Sequence, residues 1–218
     1  MAYRLYSKKE WGGRAGHAGG YHRHFGEAVI HYTASEMVDF DIASGKPRKP
    51  GPKWYKIWRT PHKTAAEKAR RVRIARMIRK YNKSMRKWNL DNAADLQRAI
   101  AHEKKMMRAW QGYHMNVLGW SDIGYHYVIF PSGHVYAGRS CDPSGCVYGA
   151  HTKGANERIG ISHEMTIGDY PTPEMVASYH TLRRKLGIKH AVGHNQVPGN
   201  STSCPGRLIQ AYSLPTRY

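Results

Sequence analysis

HAVGHNQVPGNSTSCPG, residues 190–206, is the stretch that decides the fold, because a short apolar run ends within it in a polar loop. His194 and Cys204 stand ten positions apart, with Pro, Gly, Asn and Ser between them, so the loop is expected to fold back on itself. Imidazole and thiolate side chains on such a loop are typical zinc ligands, although two ligands do not complete a site.

The best candidate for a third ligand lies far upstream. It is His31, in the apolar, β-branched run AVIHYTA at residues 28–34. Three protein ligands leave the fourth position of zinc open to water, which is the catalytic arrangement. The chain contains 14 histidines, and any single one of them is more often a surface or core residue than a ligand. An ordinary structural role is therefore the alternative for each histidine.

Eight short blocks cover nearly all of the chain outside one insertion. They are KEWG at 9–12, VIHYTA at 29–34, WQGYHM at 110–115, GWSDIGY at 119–125, VYAGR at 135–139, GAH at 149–151, IGI at 159–161 and CPG at 204–206. In these blocks, and in their order, the chain resembles the type 2 N-acetylmuramoyl-L-alanine amidases. That family includes peptidoglycan recognition proteins and phage amidase endolysins.

The resemblance implies zinc-dependent hydrolysis of the lactyl amide between N-acetylmuramic acid and L-alanine in peptidoglycan. It assigns His31, His194 and Cys204 as ligands of one zinc ion per chain. It also assigns Tyr125 and Thr202 as catalytic residues, whose hydroxyls can hold the oxyanion or orient the attacking water. The alternative for Tyr125 is a tyrosine that merely opens a strand.

The general base is a weaker prediction. Some relatives carry a glutamate on the strand that here reads IGISHE at 159–164, where Ser162 takes one acidic position. Glu164 lies two residues further on and hence on the same face of a strand. It is a weak candidate for the base, and a surface carboxylate is the favoured alternative.

Substrate contacts implied by the recognition-protein branch fall on Thr33, His114, His151 and Asn156. Tyr32 departs from the histidine that is common in that branch. Preference for meso-diaminopimelate over lysine at the third stem position accompanies Gly119, Trp120 and Arg139. The two stem residues differ by one carboxylate, which a guanidinium can bind through two hydrogen bonds. The alternative is that Arg139 is an ordinary hairpin-end charge in solvent.

A chain of 218 residues is long enough for one sizeable core, so residues 1–218 are predicted to form a single zinc amidase domain. The N-terminus has no apolar run of signal-peptide length, and no stretch approaches about 18 consecutive apolar residues. We expect a monomer made in a host cytoplasm, which reaches the cell wall like a phage endolysin after the membrane is opened. Three cysteines argue against a disulfide framework, although Cys141 and Cys146 could close a local loop.

Most of the excess positive charge lies in one segment. Of 35 basic and 15 acidic residues, residues 46–108 carry 21 and 4. After a proline-rich entry, apolar residues recur over 65–88 at three- and four-residue steps, which predicts a basic amphipathic helix. We interpret residues 46–90 as an insertion that docks on an anionic envelope polymer or membrane surface. A solvated charged face is an equal alternative, and the absence of a nucleic-acid motif argues against a specific nucleic-acid partner.

Periodicity places the remaining elements. Strands are predicted at about 28–32, 126–130, 134–137, 159–163 and 191–193, and helices at about 91–114, from Thr172 to Gly187, and over 207–212. Residues 1–27 are expected to form an irregular arm and residues 140–156 a loop. This alternation predicts an α/β fold with a central mixed β-sheet flanked by helices, a zinc site at one sheet edge and a basic helical insertion.

The competing class of protein is a non-catalytic peptidoglycan-binding module. Binding-only relatives typically lose the cysteine ligand. Because Cys204 is present, the sequence favours the enzyme.

Overall fold

A computed structural model describes residues 3–16, 20–24, 26–34, 40–41, 46–47 and 93–214. The strands are β1 (Leu5–Tyr6), β2 (Tyr21–His22), β3 (Glu27–Ile30), β4 (Phe40–Asp41), β5 (Lys46–Pro47), β6 (Tyr127–Ile129), β7 (Val135–Ala137), β8 (Cys141–Asp142), β9 (Gly145–Val147), β10 (Ile159–His163) and β11 (His190–Gly193). The α-helices are α1 (Lys8–Trp11), α2 (Ala93–Asn116), α3 (Pro173–Lys185) and α4 (Leu208–Ala211), and a 3₁₀ turn covers His194–Gln196.

The chain divides into two compact units. The larger consists of Met1–Met37 with Ile100–Tyr218, and the smaller is Val38–Ala99. In the smaller unit β4 and β5 pair antiparallel, with Phe40 opposite Pro47. Beyond β5, the predicted insertion at 46–90 lies outside the described residues, so its basic helix stays a prediction.

The larger unit is built on a six-stranded mixed sheet in the order β1-β7-β6-β10-β3-β11. β10 pairs parallel with both β6 and β3, and β11 pairs parallel with β3. β6 and β7 form the antiparallel hairpin predicted around Pro-Ser-Gly. The predicted mixed α/β fold is confirmed.

The central strands are buried on both faces. Every residue of β10 and β6 is buried, and Ala28 to Ile30 of β3 are at most 1 % exposed. Side chains from both faces then need cover, which the helices supply.

Helix α3 follows its sequence signals closely. The Thr172 hydroxyl accepts from the Met175 N–H at 3.1 Å, so it caps the N-terminus. Met175, Tyr179 and Leu182 are buried along one face. Gly187 then adopts a φ of +65°, a left-handed conformation that ends the helix.

Helix α2 is fixed to the hairpin by a buried carboxylate. Glu103 accepts hydrogen bonds from Ser132 at 2.6 Å, from His134 Nδ1 at 2.8 Å and from the Tyr136 hydroxyl at 2.8 Å. Because three donors surround it, the charge can be buried at 4 % exposure. This contact holds the middle of α2 against the hairpin.

Two segments are more regular than predicted. Residues 1–27 are not merely an irregular arm, since β1 pairs parallel with β7, and α1 begins with a capping box between Ser7 and Glu10. The loop predicted at 140–156 contains β8 and β9, which form a three-stranded sheet with β2. A disulfide joins Cys141 to Cys146 across this hairpin. In the part of the chain that the structure describes, no helix has both the length and the apolar character needed to span a bilayer.

Candidate functional site

The three predicted metal ligands meet at one end of the parallel strands. Ile30 at the end of β3 pairs with Gly193 at the end of β11, so the next residues, His31 and His194, emerge side by side. Cys204 returns to them because its carbonyl accepts from the Asn195 N–H at 2.8 Å. Its Sγ accepts from the Tyr32 N–H at 3.4 Å.

The potential ligand atoms of His31, His194 and Cys204 all lie within 4.8 Å of one another. His31 Nδ1 is 3.7 Å from Cys204 Sγ, and the two imidazole centroids are 4.6 Å apart. His31 is 1 % exposed and Cys204 6 %, while His194 is half-buried. The cluster is therefore closed on the protein side and approachable beside His194.

The far nitrogens of the two imidazoles are already engaged. His194 Nε2 lies 3.2 Å from Asn200 Oδ1, and the Asn200 amide nitrogen donates to the Lys153 carbonyl. Oδ1 must then accept, so His194 carries its proton on Nε2 and presents the lone pair of Nδ1. His31 Nε2 lies 3.1 Å from His151 Nδ1 and from the Thr152 hydroxyl.

This donor set fits zinc. Two imidazoles and one thiolate are its usual nitrogen and sulfur ligands, and three protein ligands leave a position for water or substrate. Burial lowers the pKa of His31 well below its usual value, so this ring is neutral and can donate a lone pair. Burial also raises the pKa of Cys204 to about 12, so a bound cation would displace the thiol proton.

Tyr125 and Thr202 lie beside these ligands. The Tyr125 ring centroid is 5.4 Å from that of His31. Burial raises the pKa of Tyr125 to about 12, and the nearby Cys204 adds to this. Tyr125 therefore stays a hydrogen-bond donor at neutral pH. The Thr202 hydroxyl accepts from the Cys204 N–H at 3.2 Å, which ties it to the ligand loop.

Glu164 is not the surface carboxylate of the favoured alternative. It is 1 % exposed, and its Oε1 lies 3.3 Å from His102 Nε2 on α2. Burial raises the pKa of this carboxyl group. Its assignment as general base stays a weak prediction, and Ser162 of β10 is fully buried.

Three predicted substrate residues gather next to Tyr125. His114 stacks on Trp120 at a centroid distance of 4.7 Å and meets Tyr125 edge-on at 5.9 Å. We call His114, Trp120 and Tyr125 the aromatic cluster. Gly119 is exposed at the edge of this cluster and has a φ of +70°. A Cβ at this position would have no atom within 4 Å, so the backbone conformation of the turn, rather than lack of space, requires glycine there.

The protonation of His114 is set by its surroundings. Its Nδ1 accepts from the Gly124 N–H at 3.1 Å. Burial, followed by the positive charge of Arg139, lowers the pKa of His114 to about 4. The ring is therefore neutral at pH 7 and carries its proton on Nε2.

Arg139 is buried at 6 % exposure, so the alternative of a hairpin-end charge in solvent is wrong. Its guanidinium donates to the carbonyls of Ile123 at 2.7 Å and Tyr148 at 3.0 Å. It also donates to the Ser121 hydroxyl at 3.2 Å and the Asp122 carbonyl at 3.4 Å. Arg139 is thus a fixed positive charge beneath the segment that carries Tyr125.

The other predicted substrate contacts lie deeper than an open binding surface. His151 is 8 % exposed, and Asn156 Oδ1 accepts from the N–H groups of His151 and Thr152 at 2.8 and 2.9 Å. Thr33 is half-buried, and its N–H donates to the His163 carbonyl at 2.8 Å. Their assignment as substrate contacts stays a prediction.

Sequence reasoning missed the residues around the ligands. Thr152, Asn200 and His163 carry no sequence signal of a role beside the ligands. His163 donates from Nδ1 to the His31 carbonyl at 3.0 Å and accepts at Nε2 from the Tyr212 hydroxyl at 2.7 Å. Neither spacing nor residue type identifies such partners, because they come from separate elements.

Comparison with known proteins gives a family match and several relatives in sequence. Residues 60–207 match the family described as N-acetylmuramoyl-L-alanine amidase. The chain is 38 % identical over 112 residues to peptidoglycan-recognition protein SC2 of Drosophila melanogaster, covering 45 % of this chain and 55 % of that protein. It is 32 % identical over 116 residues to the human N-acetylmuramoyl-L-alanine amidase, covering 47 % of this chain and 19 % of that protein.

Among solved structures, the fold is similar to that of peptidoglycan recognition protein-LE in complex with tracheal cytotoxin. The TM-score is 0.61 at 19 % identity, covering 98 % of this chain and 95 % of the other. At that identity the likeness concerns the fold alone. The chain spans about half the length of the recognition protein that it matches in sequence.

Proposed function

This chain belongs to the N-acetylmuramoyl-L-alanine amidase family, and we propose that it is a zinc-dependent enzyme that hydrolyses the amide between N-acetylmuramic acid and L-alanine in peptidoglycan. The observation that carries the proposal is the convergence of His31, His194 and Cys204 with the Tyr125 ring beside them. A binding-only module has no need of the thiol or of a protonated phenol at that place.

Zinc bound here would lower the pKa of a water molecule to about 7 and polarise the amide carbonyl. The residues of the chain supply the remaining requirements. Tyr125, protonated at neutral pH, donates a hydrogen bond to the oxyanion of the tetrahedral intermediate. Thr202, whose hydroxyl accepts from the Cys204 N–H, orients the attacking water or donates a second hydrogen bond to the oxyanion.

The aromatic cluster is suited to holding the substrate next to this centre. Trp120 and His114 offer flat apolar faces to a peptide stem or a sugar ring, and the His114 Nε2–H offers one donor. The cluster adjoins the metal ligands through Tyr125 itself. A bound stem would therefore place its first amide close to the ligands.

We further propose a preference for peptidoglycan of the meso-diaminopimelate type. Recognition protein-LE was solved with tracheal cytotoxin, a monomeric diaminopimelic acid-type peptidoglycan. In this chain Arg139 supplies the cation. Its charge acts from beneath the aromatic cluster, since it lowers the pKa of His114, and it would attract the additional carboxylate of diaminopimelate.

We also propose that the protein acts as an endolysin and that residues 46–90 dock on an anionic envelope. They rest on the amidase residues and on the excess of basic residues in 46–108. Long-range attraction to a polyanionic wall would speed association and weaken as salt is added. Lysis of permeabilised cells at low and high ionic strength tests this.

The experiment that tests the proposed function combines metal analysis with an amidase assay. Wild type should contain one zinc per chain and release L-alanine-terminated stems from muropeptides. His194→Ala and Cys204→Ser should lose both zinc and turnover while still binding cell walls. His190→Ala is the matched control, because His190 is an exposed histidine on β11, the strand that leads into His194. Full activity after exhaustive chelation would refute the proposal.

A further inference from the structure

We propose that His151 is a positioning residue for the ligand His31, which it holds in the tautomer with the proton on Nε2. This inference rests on the proposed function, since it concerns a ligand of the proposed zinc. It gives the GAH block at 149–151 a role in the metal centre, where the resemblance implied a contact with the substrate.

The direction of the hydrogen bonds carries the argument. His151 Nε2 lies 3.0 Å from the Arg158 carbonyl, which can only accept, so His151 must carry its proton on Nε2. Its Nδ1 is then a lone pair, 3.1 Å from His31 Nε2. A proton on His31 Nε2 completes this contact, whereas a proton on His31 Nδ1 would leave two facing lone pairs with the single Thr152 hydroxyl proton between them.

The result at the other side of the His31 ring is a lone pair on Nδ1, which faces the Cys204 thiol. That atom lies 3.7 Å from Cys204 Sγ and within the ligand cluster. A series of hydrogen bonds therefore orients a ligand lone pair toward the metal position before any metal binds. It runs from the Arg158 carbonyl through His151 to His31. Hydrogen bonds of this kind fix ligand orientation and raise ligand basicity in metalloproteins.

The His151 ring sits in a socket that leaves it little freedom. A Cβ built on Gly149 or on Gly160 would lie 2.3 Å from His151 Cδ2, so both backbones press against the ring. The Thr152 hydroxyl closes the contact, at 3.0 Å from His151 Nδ1 and 3.1 Å from His31 Nε2. Because both ring nitrogens are engaged inside the protein, His151 has no free nitrogen to offer a substrate.

The first test reads the tautomer directly in the metal-free protein. Long-range ¹H–¹⁵N spectra of ¹⁵N-labelled wild type at pH 7.5 should show His31 and His151 each protonated on Nε2 alone. A His31 ring protonated on Nδ1, or averaged between the two tautomers, would overturn the proposal. This measurement needs no zinc, so it decides the inference even if the proposed amidase function fails.

The second test measures zinc affinity by chelator competition. His151→Phe keeps a ring in the socket but removes both nitrogens, and it should raise the zinc dissociation constant by ~10- to 100-fold. His151→Asn, whose Oδ1 can replace Nδ1 as acceptor, should restore most of the affinity. His24→Phe is the matched control, because His24 is also buried and also bonds a backbone carbonyl.

The outcomes separate the possible roles. A substrate-binding role predicts an unchanged zinc constant in His151→Phe with a raised KM for muropeptides. A purely structural role predicts that His151→Phe and His151→Asn lose stability alike, with no difference in zinc affinity between them. If His151→Phe does not fold, the comparison of wild type with His151→Asn and the tautomer spectrum still decide, since the acceptor must be retained in both.

Discussion

Replacing Arg139 tests whether this residue stabilises the site or only selects the substrate. Arg139→Ala removes the donors to the Ile123 and Tyr148 carbonyls, the two shortest of its contacts. Hydrogen bonds to a charged partner contribute about 1.5–3 kcal/mol each when buried, so the loss should be about 3–6 kcal/mol in the free energy of unfolding. Arg184→Ala, at an exposed position of α3, should change it by less than about 0.5 kcal/mol.

Turnover should fall along with stability, for a structural reason. The Arg139 guanidinium binds the Ile123 carbonyl, and the Arg139 N–H donates to the Tyr125 carbonyl at 3.0 Å. Without the guanidinium the segment that positions the Tyr125 hydroxyl loosens. We therefore expect a lower kcat on both the diaminopimelate and the lysine muropeptide, with a further loss on the diaminopimelate form because the charge that attracts its extra carboxylate is gone. Arg139→Lys keeps the charge and should keep the preference between the two substrates.

The assay pairs urea unfolding of the metal-free protein with kcat and KM on two muropeptides that differ only at the third stem residue. One result would refute this account of Arg139. It is an Arg139→Ala variant whose free energy of unfolding falls by less than about 1 kcal/mol and which turns over the lysine form normally while its diaminopimelate preference disappears. Arg139 would then contact the substrate directly, as the resemblance implied.

Four more measurements probe the rest of the molecule. Tyr125→Phe should lower kcat ~100- to 1000-fold with zinc still bound, as for loss of one oxyanion donor, and near-normal turnover would make the hydroxyl a bystander. Thr202→Ala should lower turnover without lowering zinc content, and a loss of zinc would instead make Thr202 a support of the ligand loop. Deletion of residues 46–88 should slow lysis of whole permeabilised cells more than hydrolysis of soluble muropeptides, and equal losses would make the insertion part of the fold. Burial lowers the pKa of His126 to about 4 from 6.5, so the unfolded chain takes up the proton first and stability is lost as pH falls from about 6.5 to 4. The loss in the free energy of unfolding is about 3 kcal/mol. Urea unfolding should therefore show a shallower pH dependence for His126→Gln than for wild type.

Much of the fold was predictable because its signals are local. The apolar run before His31 needs no partner to be recognised as a buried strand, and Thr172 with Pro173 marks a helix start by itself. The same kind of local signal is present at Ser7 and Glu10, which form a capping box that begins α1. The three short strands β2, β8 and β9 give no such signal, because two- and three-residue strands carry no measurable period.

The ligands were predictable for a different reason. His31, His194 and Cys204 end short apolar runs or occupy a loop, and parallel strands bring such ends to one edge of the sheet. Chain order alone does not say which strands are neighbours. The register of Ile30 with Gly193 supplies that information, and it places the two histidines side by side.

Three buried histidines show why the surroundings of the site could not be predicted in the same way. His126, His151 and His163 each donate from one ring nitrogen to a backbone carbonyl and use the other as an acceptor. Burial keeps each ring neutral, and a backbone carbonyl within reach fixes its tautomer. A histidine in a sequence carries no mark of that carbonyl, so ligand, support and core histidines look alike until the backbone is placed. What distinguishes His31 is that its second nitrogen faces a thiol, with no backbone group there to take its lone pair among the residues described.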